Sequence, residues 1–195
     1  MLLGLASSGV HSNGFSLIRK VIPDLDEDFG GMPIGRVLLE PTRLYVKPIL
    51  SLMKELEIRG MAHITGGGFF ENIPRIFSSR AALSVVIQDP LRPGYKGHWK
   101  VPPIFSRIAY GIKNNELPFV CPGAAQKEGE EILRSDPDIK KLMFNTYNMG
   151  IGFVIALAPD NVQRAAAFLE EKGFPAWEIG SVEKPQASCV GLRFA

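Results

Sequence analysis

The stretch Gly150-Ile151-Gly152-Phe153-Val154-Ile155-Ala156-Leu157, followed by Pro159 to Lys172 and then Ala176 to Val182, decides the fold. The first part reads as a strand, the second as an amphipathic helix, the third as another strand. Outward from this unit, strands and helices keep alternating. Met1 to Ala6 reads as a buried strand, Gly60 to Thr65 as a short strand, Leu83 to Ile87 as a further one, and Ser188 to Phe194 as a last edge strand. The pattern predicts an α+β fold, a mixed β-sheet covered by helices in an α/β/α layer arrangement.

The helices carry their own signals. Phe15 to Val21 has helical spacing through Leu17, Ile18 and Val21, with Ser12 or Asn13 as candidate cap and Pro23 beyond its end. Asp24 to Gly35 is acidic and Gly-bearing and reads as a loop. Pro41-Thr42 opens the clearest helix, with Thr42 as cap and Leu44, Val46, Ile49, Leu50, Met53 and Leu56 as one apolar stripe. Pro48 predicts a kink in it. Phe69 to Phe77 reads as a helix interrupted by Pro74, Pro103 to Lys113 as a helix, and Asp138 to Phe144 as another. The polar stretch between Asn114 and Asp138 reads as a surface insertion with one or two helical turns.

Composition narrows the class. The 195 residues suit a single domain, with 46% hydrophobic residues for a core and a formal net charge of +2. That charge offers no argument for nucleic acid or an anionic membrane surface. No apolar run approaches the ~20 residues of a membrane span, and the start lacks the basic region of a signal peptide. Cys121 and Cys189 are far apart, so a reduced, cytoplasmic protein is expected. The three histidines and two cysteines form no zinc pattern, and no metal ligand is assigned.

Three loops could carry chemistry. In Ser7-Ser8-Gly9-Val10-His11-Ser12-Asn13-Gly14, small residues lead from a strand into a helix, whose free N–H groups suit a phosphate or an oxyanion. His11 could donate a hydrogen bond or exchange a proton. A capped turn with a satisfied histidine fits the same residues. In His63-Ile64-Thr65-Gly66-Gly67-Gly68-Phe69-Phe70-Glu71-Asn72, three glycines after a strand allow close ligand approach, and Glu71 and Asn72 follow one turn later. A tight packing turn fits as well. No Gly-Lys-Ser/Thr follows, so this is not a nucleotide P-loop. Asn148-Met149-Gly150-Ile151-Gly152 enters a strand through two glycines, which marks a bulge or a close approach. His98 and Trp99 sit in a Pro/Gly loop without ligand spacing.

Taken together, five motifs in order resemble the aminoimidazole ribonucleotide synthetase (phosphoribosylformylglycinamidine cyclo-ligase) family in its C-terminal domain. They are Gly4 to Lys20 around His11, Pro41 to Pro48, Gly60 to Gly68 with Glu71 to Arg75, Trp99 with Val101 to Phe105, and Asn148 to Gly152. The likeness runs from Met1 to about Val182. It departs from the family between Asn114 and Asp138, and at Tyr147, where Phe is more usual.

The resemblance implies ATP-dependent cyclisation of formylglycinamidine ribonucleotide to aminoimidazole ribonucleotide in purine biosynthesis. It implies a small-molecule substrate, with neither nucleic acid nor membrane as partner, and a homodimer in the full-length family. ATP and Mg²⁺ would be bound mainly by an N-terminal domain absent from these residues, so the isolated chain is expected to be inactive. His11 and Asn13 are then the expected catalytic residues. Ser8, Gly9, Ser12, Gly66, Gly67, Gly68, Glu71, Asn72 and Asn148 are the expected substrate-binding residues. The alternatives are a related ATP-using synthetase or kinase of the same superfamily, or a non-catalytic binding module.

Overall fold

The computed structural model describes residues 1–77, 83–114, 122–184 and 191–195. Cys121 and Cys189 lie outside them. Six strands form one sheet: β1 (Leu2–Ala6), β2 (Gly60–His63), β3 (Ser84–Ile87), β4 (Ile151–Ala156), β5 (Ala176–Glu183) and β6 (Gly191–Phe194). Their order across the sheet is β2-β4-β1-β5-β3-β6. All pairs are antiparallel except β3 with β6, which is parallel. The strand-helix-strand unit that decides the fold therefore places β4 and β5 on either side of β1.

Side chains alternate across a strand, and β1 shows the consequence. Leu2 joins one core cluster while Leu3 and Leu5 join the other, and both faces of the sheet are buried. One face carries α3 (Val46–Glu55) and α8 (Val162–Glu171), which contribute Ile49, Leu52, Ala165 and Leu169. The other carries α1 (Phe15–Val21), α2 (Ile34–Leu38), α4 (Gly68–Asn72), α5 (Pro103–Lys113), α6 (Pro122–Ser135) and α7 (Pro137–Thr146). This is the expected α/β/α arrangement around a mixed sheet. Burying a Leu, Ile or Phe in either cluster is worth about 1.5–3 kcal/mol.

The helices depart from the sequence reading in instructive ways. The α2 helix, whose Ile34 and Leu38 are buried, begins inside the expected Asp24 to Gly35 loop and continues through residues to which the sequence reading gave no element. The helix expected from Thr42 begins at Val46, capped by Tyr45. Pro48 falls in its first turn, where an N–H has no helical partner to lose, so the expected kink has no cause there. Its apolar residues also divide. Ile49, Leu52 and Leu56 are buried, whereas Leu44, Val46, Leu50 and Met53 are exposed. Between Asn114 and Asp138, where one or two turns are expected, α6 runs for 14 residues. It is amphipathic, and Ala125, Ile132 and Leu133 enter the core.

One buried ion pair anchors the 24–33 segment. Arg107 on α5 donates from Nε and Nη2 to the Glu27 carboxylate at 2.8 and 2.7 Å. Removing one partner would strand a buried charge, at a cost of about 3–5 kcal/mol. Among the described residues no helix is long and apolar enough to cross a membrane.

Candidate functional site

β1 and β2 both run antiparallel to β4. Their C-terminal ends and the N-terminal end of β4 therefore lie at one edge of the sheet. The His11 loop leaves β1 there, the Gly66 to Gly68 loop follows β2, and Asn148 to Gly150 leads into β4. The topology thus brings together three loops separated by as many as 141 residues in sequence.

Asn148 joins two of them. It is 1% exposed. Its Nδ2 donates to the Gly9 carbonyl at 2.8 Å, and its Oδ1 accepts from the Ser7 hydroxyl and the Gly150 N–H, both at 2.9 Å. The Ser7 N–H also donates to the Gly150 carbonyl at 2.9 Å. Neighbouring bonds reinforce the junction. The Tyr147 hydroxyl donates to the Gly14 carbonyl, and the Trp99 indole N–H donates to the Met149 carbonyl at 3.0 Å. Trp99 is fully buried and stacked on Phe69, so a residue that looked bland in sequence holds this strand entry in place.

Backbone strain marks the same place. Among the described residues His11 and Met149 have positive φ without being glycine, at 57° and 47°. Such residues cost of order 1 kcal/mol and tend to gather at functional sites. Here the bonds around Asn148 hold the strain.

His11 is 4% exposed. Burial, with the nearby His63 and Arg43 cations adding to it, pushes its imidazole down to about 4, so the ring is neutral near pH 7. The Ser8 N–H donates to Nε2 at 3.3 Å. A neutral imidazole carries one proton, so the hydrogen-bond pattern assigns it to Nδ1. That buried Nδ1 has no partner in the chain. A buried donor without an acceptor is costly, and it is what a site awaiting a ligand oxygen would contain.

Tyr45 and His63 complete this wall. Their ring centroids lie 6.2 and 6.3 Å from that of His11 and 5.8 Å from each other. The Tyr45 hydroxyl donates to the Ala6 carbonyl at 2.8 Å, and burial pushes its ionisation well above the ordinary tyrosine value. A side chain on Gly152 would collide with both Tyr45 and His11, so that strand glycine makes room for the pair. Burial also lowers the His63 imidazole, although the residue remains exposed at the mouth of the wall. Sequence reasoning assigned neither Tyr45 nor His63 to the site. The usable signal for His63 was a histidine closing a strand immediately before three glycines.

The remaining expected residues sort by what they touch. Ser8 donates through Oγ to the Pro41 carbonyl at 2.6 Å, tying the loop to the segment before α3. Ser12 is exposed and Asn13 half-buried. Neither caps α1; the cap is Gly14 in a left-handed conformation, and the helix has only seven residues. Gly66 faces open space, while Gly67 caps α4. Gly68 has φ 52° and lies against the Phe144 carbonyl, where a side chain would not fit. Glu71 is exposed and paired with Arg75 at 3.0 Å. Asn72 turns back into its own loop: Nδ2 donates to the Gly68 carbonyl at 2.7 Å and to the Gly66 carbonyl at 3.2 Å. Among the described residues no three His, Cys, Asp or Glu side chains cluster so as to hold a metal ion.

The family described as AIR synthase related protein, C-terminal domain, matches residues 1–191. Curated relatives agree with it. A phosphoribosylformylglycinamidine cyclo-ligase of Clostridium perfringens is 43% identical over 182 residues, covering 93% of this chain and 44% of the relative. The protein of the same name from Clostridium tetani is 42% identical over 191 residues, covering 97% of this chain and 47% of the relative. That of Bacillus cytotoxicus is 41% identical over 191 residues, covering 94% and 46%. The chain thus spans less than half the length of these relatives.

Proposed function

The chain belongs to the AIR synthase related family, as its C-terminal domain, and on that premise we propose that it supplies the substrate-side half of a cyclo-ligase site. The reaction is ATP-dependent closure of formylglycinamidine ribonucleotide to aminoimidazole ribonucleotide in purine biosynthesis, with ADP and phosphate released. The setting is a cytoplasmic, homodimeric full-length enzyme whose partner is a small molecule, with neither nucleic acid nor membrane involved. The observation that carries the reading is the unpartnered Nδ1 of buried His11, held at the junction of three loops.

In this account neutral His11 donates its Nδ1 proton as a hydrogen bond to the substrate amide oxygen, the atom on which charge develops. A ring with its pKa near 4 is a poor proton reservoir at pH 7, so its part is electrostatic. Asn13 and Ser12, whose side chains are not engaged by the chain, orient the substrate beside it. Ser8, Gly9 and the Gly66 to Gly68 backbone form the binding surface. Asn148, Asn72 and Glu71 serve by fixing those loops. ATP supplies the phosphoryl group that turns the amide oxygen into a leaving group. No three His, Cys, Asp or Glu side chains cluster among the described residues; in this proposal the metal and most of the nucleotide are held by the remainder of the longer protein, and no step here is routed through them.

The test is kinetic, in a full-length enzyme carrying this domain. His11→Ala is expected to lower kcat/KM by about 10²–10³-fold, the usual loss for one oxyanion donor, with the fold intact by circular dichroism. An unchanged kcat/KM in the folded variant would end the reading.

A further inference from the structure

After β3 the chain turns twice in succession. The Arg92 N–H donates to the Asp89 carbonyl at 3.3 Å, and the Tyr95 N–H donates to the Arg92 carbonyl at 3.2 Å. Pro90 and Pro93 stand second in these turns, where their fixed φ is already correct, and Gly94 takes the left-handed φ of 76° that follows a proline in a type II turn. Both ends of the loop are held. The Asp89 carboxylate accepts from the Leu91 N–H at 3.0 Å and pairs with Lys140 on α7. At the other end the Trp99 indole is bonded to the Met149 carbonyl. Between them the Tyr95 ring folds over Gly97, where any side chain would collide with it.

This loop, α5 and α6 enclose a cavity of about 510 Å³. The two helices cross closely because Gly129 lies against the Ser106 carbonyl, a contact that no side chain permits. Arg92 and Lys100 line the cavity from the loop, and Glu130 and Arg134 from α6, so three cations meet one carboxylate. Among the described residues none of the four has an ion pair. Glu130 and Arg134 are four apart on one helix and stay open, whereas Glu71 and Arg75, at the same spacing, close to 3.0 Å. Ser106, also in the wall, is 2% exposed. Its hydroxyl has no hydrogen bond among the described residues. A helical serine can return its proton to the carbonyl four residues back, as Ser135 does at 2.8 Å, but Ser106 does not. Two guanidinium groups, an ammonium group, a carboxylate and a buried hydroxyl are thus left to a common cavity.

We propose that this cavity binds a sugar phosphate, with Arg92, Lys100 and Arg134 on the phosphate and Glu130 and Ser106 on the sugar hydroxyls. Guanidinium forks match phosphate oxygens two at a time, and the excess of cations favours a dianion. The carboxylate repels a bare anion but accepts from hydroxyls, so it selects for a phosphate that carries them. The volume suits a molecule of that size. Arg92, Lys100, Ser106, Glu130 and Arg134 all fall outside the five motifs that carry the family likeness, and none is assigned to the His11 site. The cavity is therefore no part of the proposed cyclo-ligase machinery.

The experiment is calorimetric titration of the 195-residue chain with ribose 5-phosphate and glucose 6-phosphate, each against its own free sugar, inorganic phosphate and sulfate. At least one sugar phosphate is expected to bind one to one and at least ~10-fold more tightly than inorganic phosphate, with no binding of the free sugar, because both halves of the ligand are recognised. Arg92→Ala and Arg134→Ala each remove a charged donor from an exposed position, so the fold is kept, as circular dichroism will check. Each should weaken the sugar phosphate at least ~10-fold. Glu130→Gln should tighten inorganic phosphate and narrow its gap to the sugar phosphate. Absence of binding by both sugar phosphates would overturn the proposal. So would equal affinity for sulfate, phosphate and sugar phosphate, which would mean an adventitious ion only. Binding that is unchanged in both arginine variants would place the ligand elsewhere and overturn it as well.

Discussion

Two asparagines fix two loops of the same site, and they do so over very different distances. Asn72 closes the Gly66 to Gly68 loop from within, bonding to carbonyls four and six residues away. Asn148 fixes the His11 loop from the far side of the chain, bonding to a carbonyl 139 residues away. The Gly66 to Gly68 loop is a local object that a short segment largely specifies. The His11 loop exists only once β1 and β4 have paired. Its strained residues, His11 and Met149, lie in the segments that leave β1 and enter β4, so any loosening of that pairing releases both.

The comparison can be broken most forcefully at Asn148. Asn148→Ala removes one donor and one acceptor and leaves the Gly9 carbonyl, the Ser7 hydroxyl and the Gly150 N–H without a partner. At about 1–2 kcal/mol for each buried group, the expected destabilisation is ~3–5 kcal/mol, read by urea unfolding. A loss below ~1 kcal/mol would show that β1–β4 pairing holds the loop without this side chain.

The next effect is pH. The His11 pKa falls from 6.5 in the unfolded chain to about 4 when folded. Its contribution to stability is therefore complete above pH 6.5, where the ring is neutral in both states. It is lost as pH falls from 6.5 towards 4, because the unfolded chain takes up the proton first. The loss is at most ~3 kcal/mol, and it should appear as a pH-dependent difference between wild type and His11→Asn measured across that range. A difference that is flat with pH would mean that His11 is charged or solvated in the fold.

Asn72→Ala should do least, about 1–2 kcal/mol in the same unfolding assay, because Gly66 is exposed and its bond to Asn72 only partly buried, so water can replace it. If Asn72→Ala proves as costly as Asn148→Ala, the distinction between a locally closed and a distantly tied loop falls.

The same distinction explains what could be read in advance. β1, α1, α5 and the strand-helix-strand from Ile151 to Glu183 were legible because buried strands and amphipathic helices advertise themselves through short-range apolar spacing. The three chemical loops were legible as strings of Gly, Ser, Asn and His. Tyr45 was not, because its place between His11 and His63 depends on Gly152 of another strand leaving room for it. Trp99 was not, since only the fold shows its indole bonded to the Met149 carbonyl. The α6 helix was masked by its polar outer residues, although Ala125, Ile132 and Leu133 form a buried side.

By itself the sequence determined the order of the strands and of most helices, the layered α+β class and the family, since these depend on local periodicity and on strings of residues. Only the tertiary structure decided which side of α3 is buried and which stands open. Only it decided that His11 keeps a buried donor without a partner. Both depend on what lies across the sheet, and a residue's spacing along the chain carries no record of its neighbours across it.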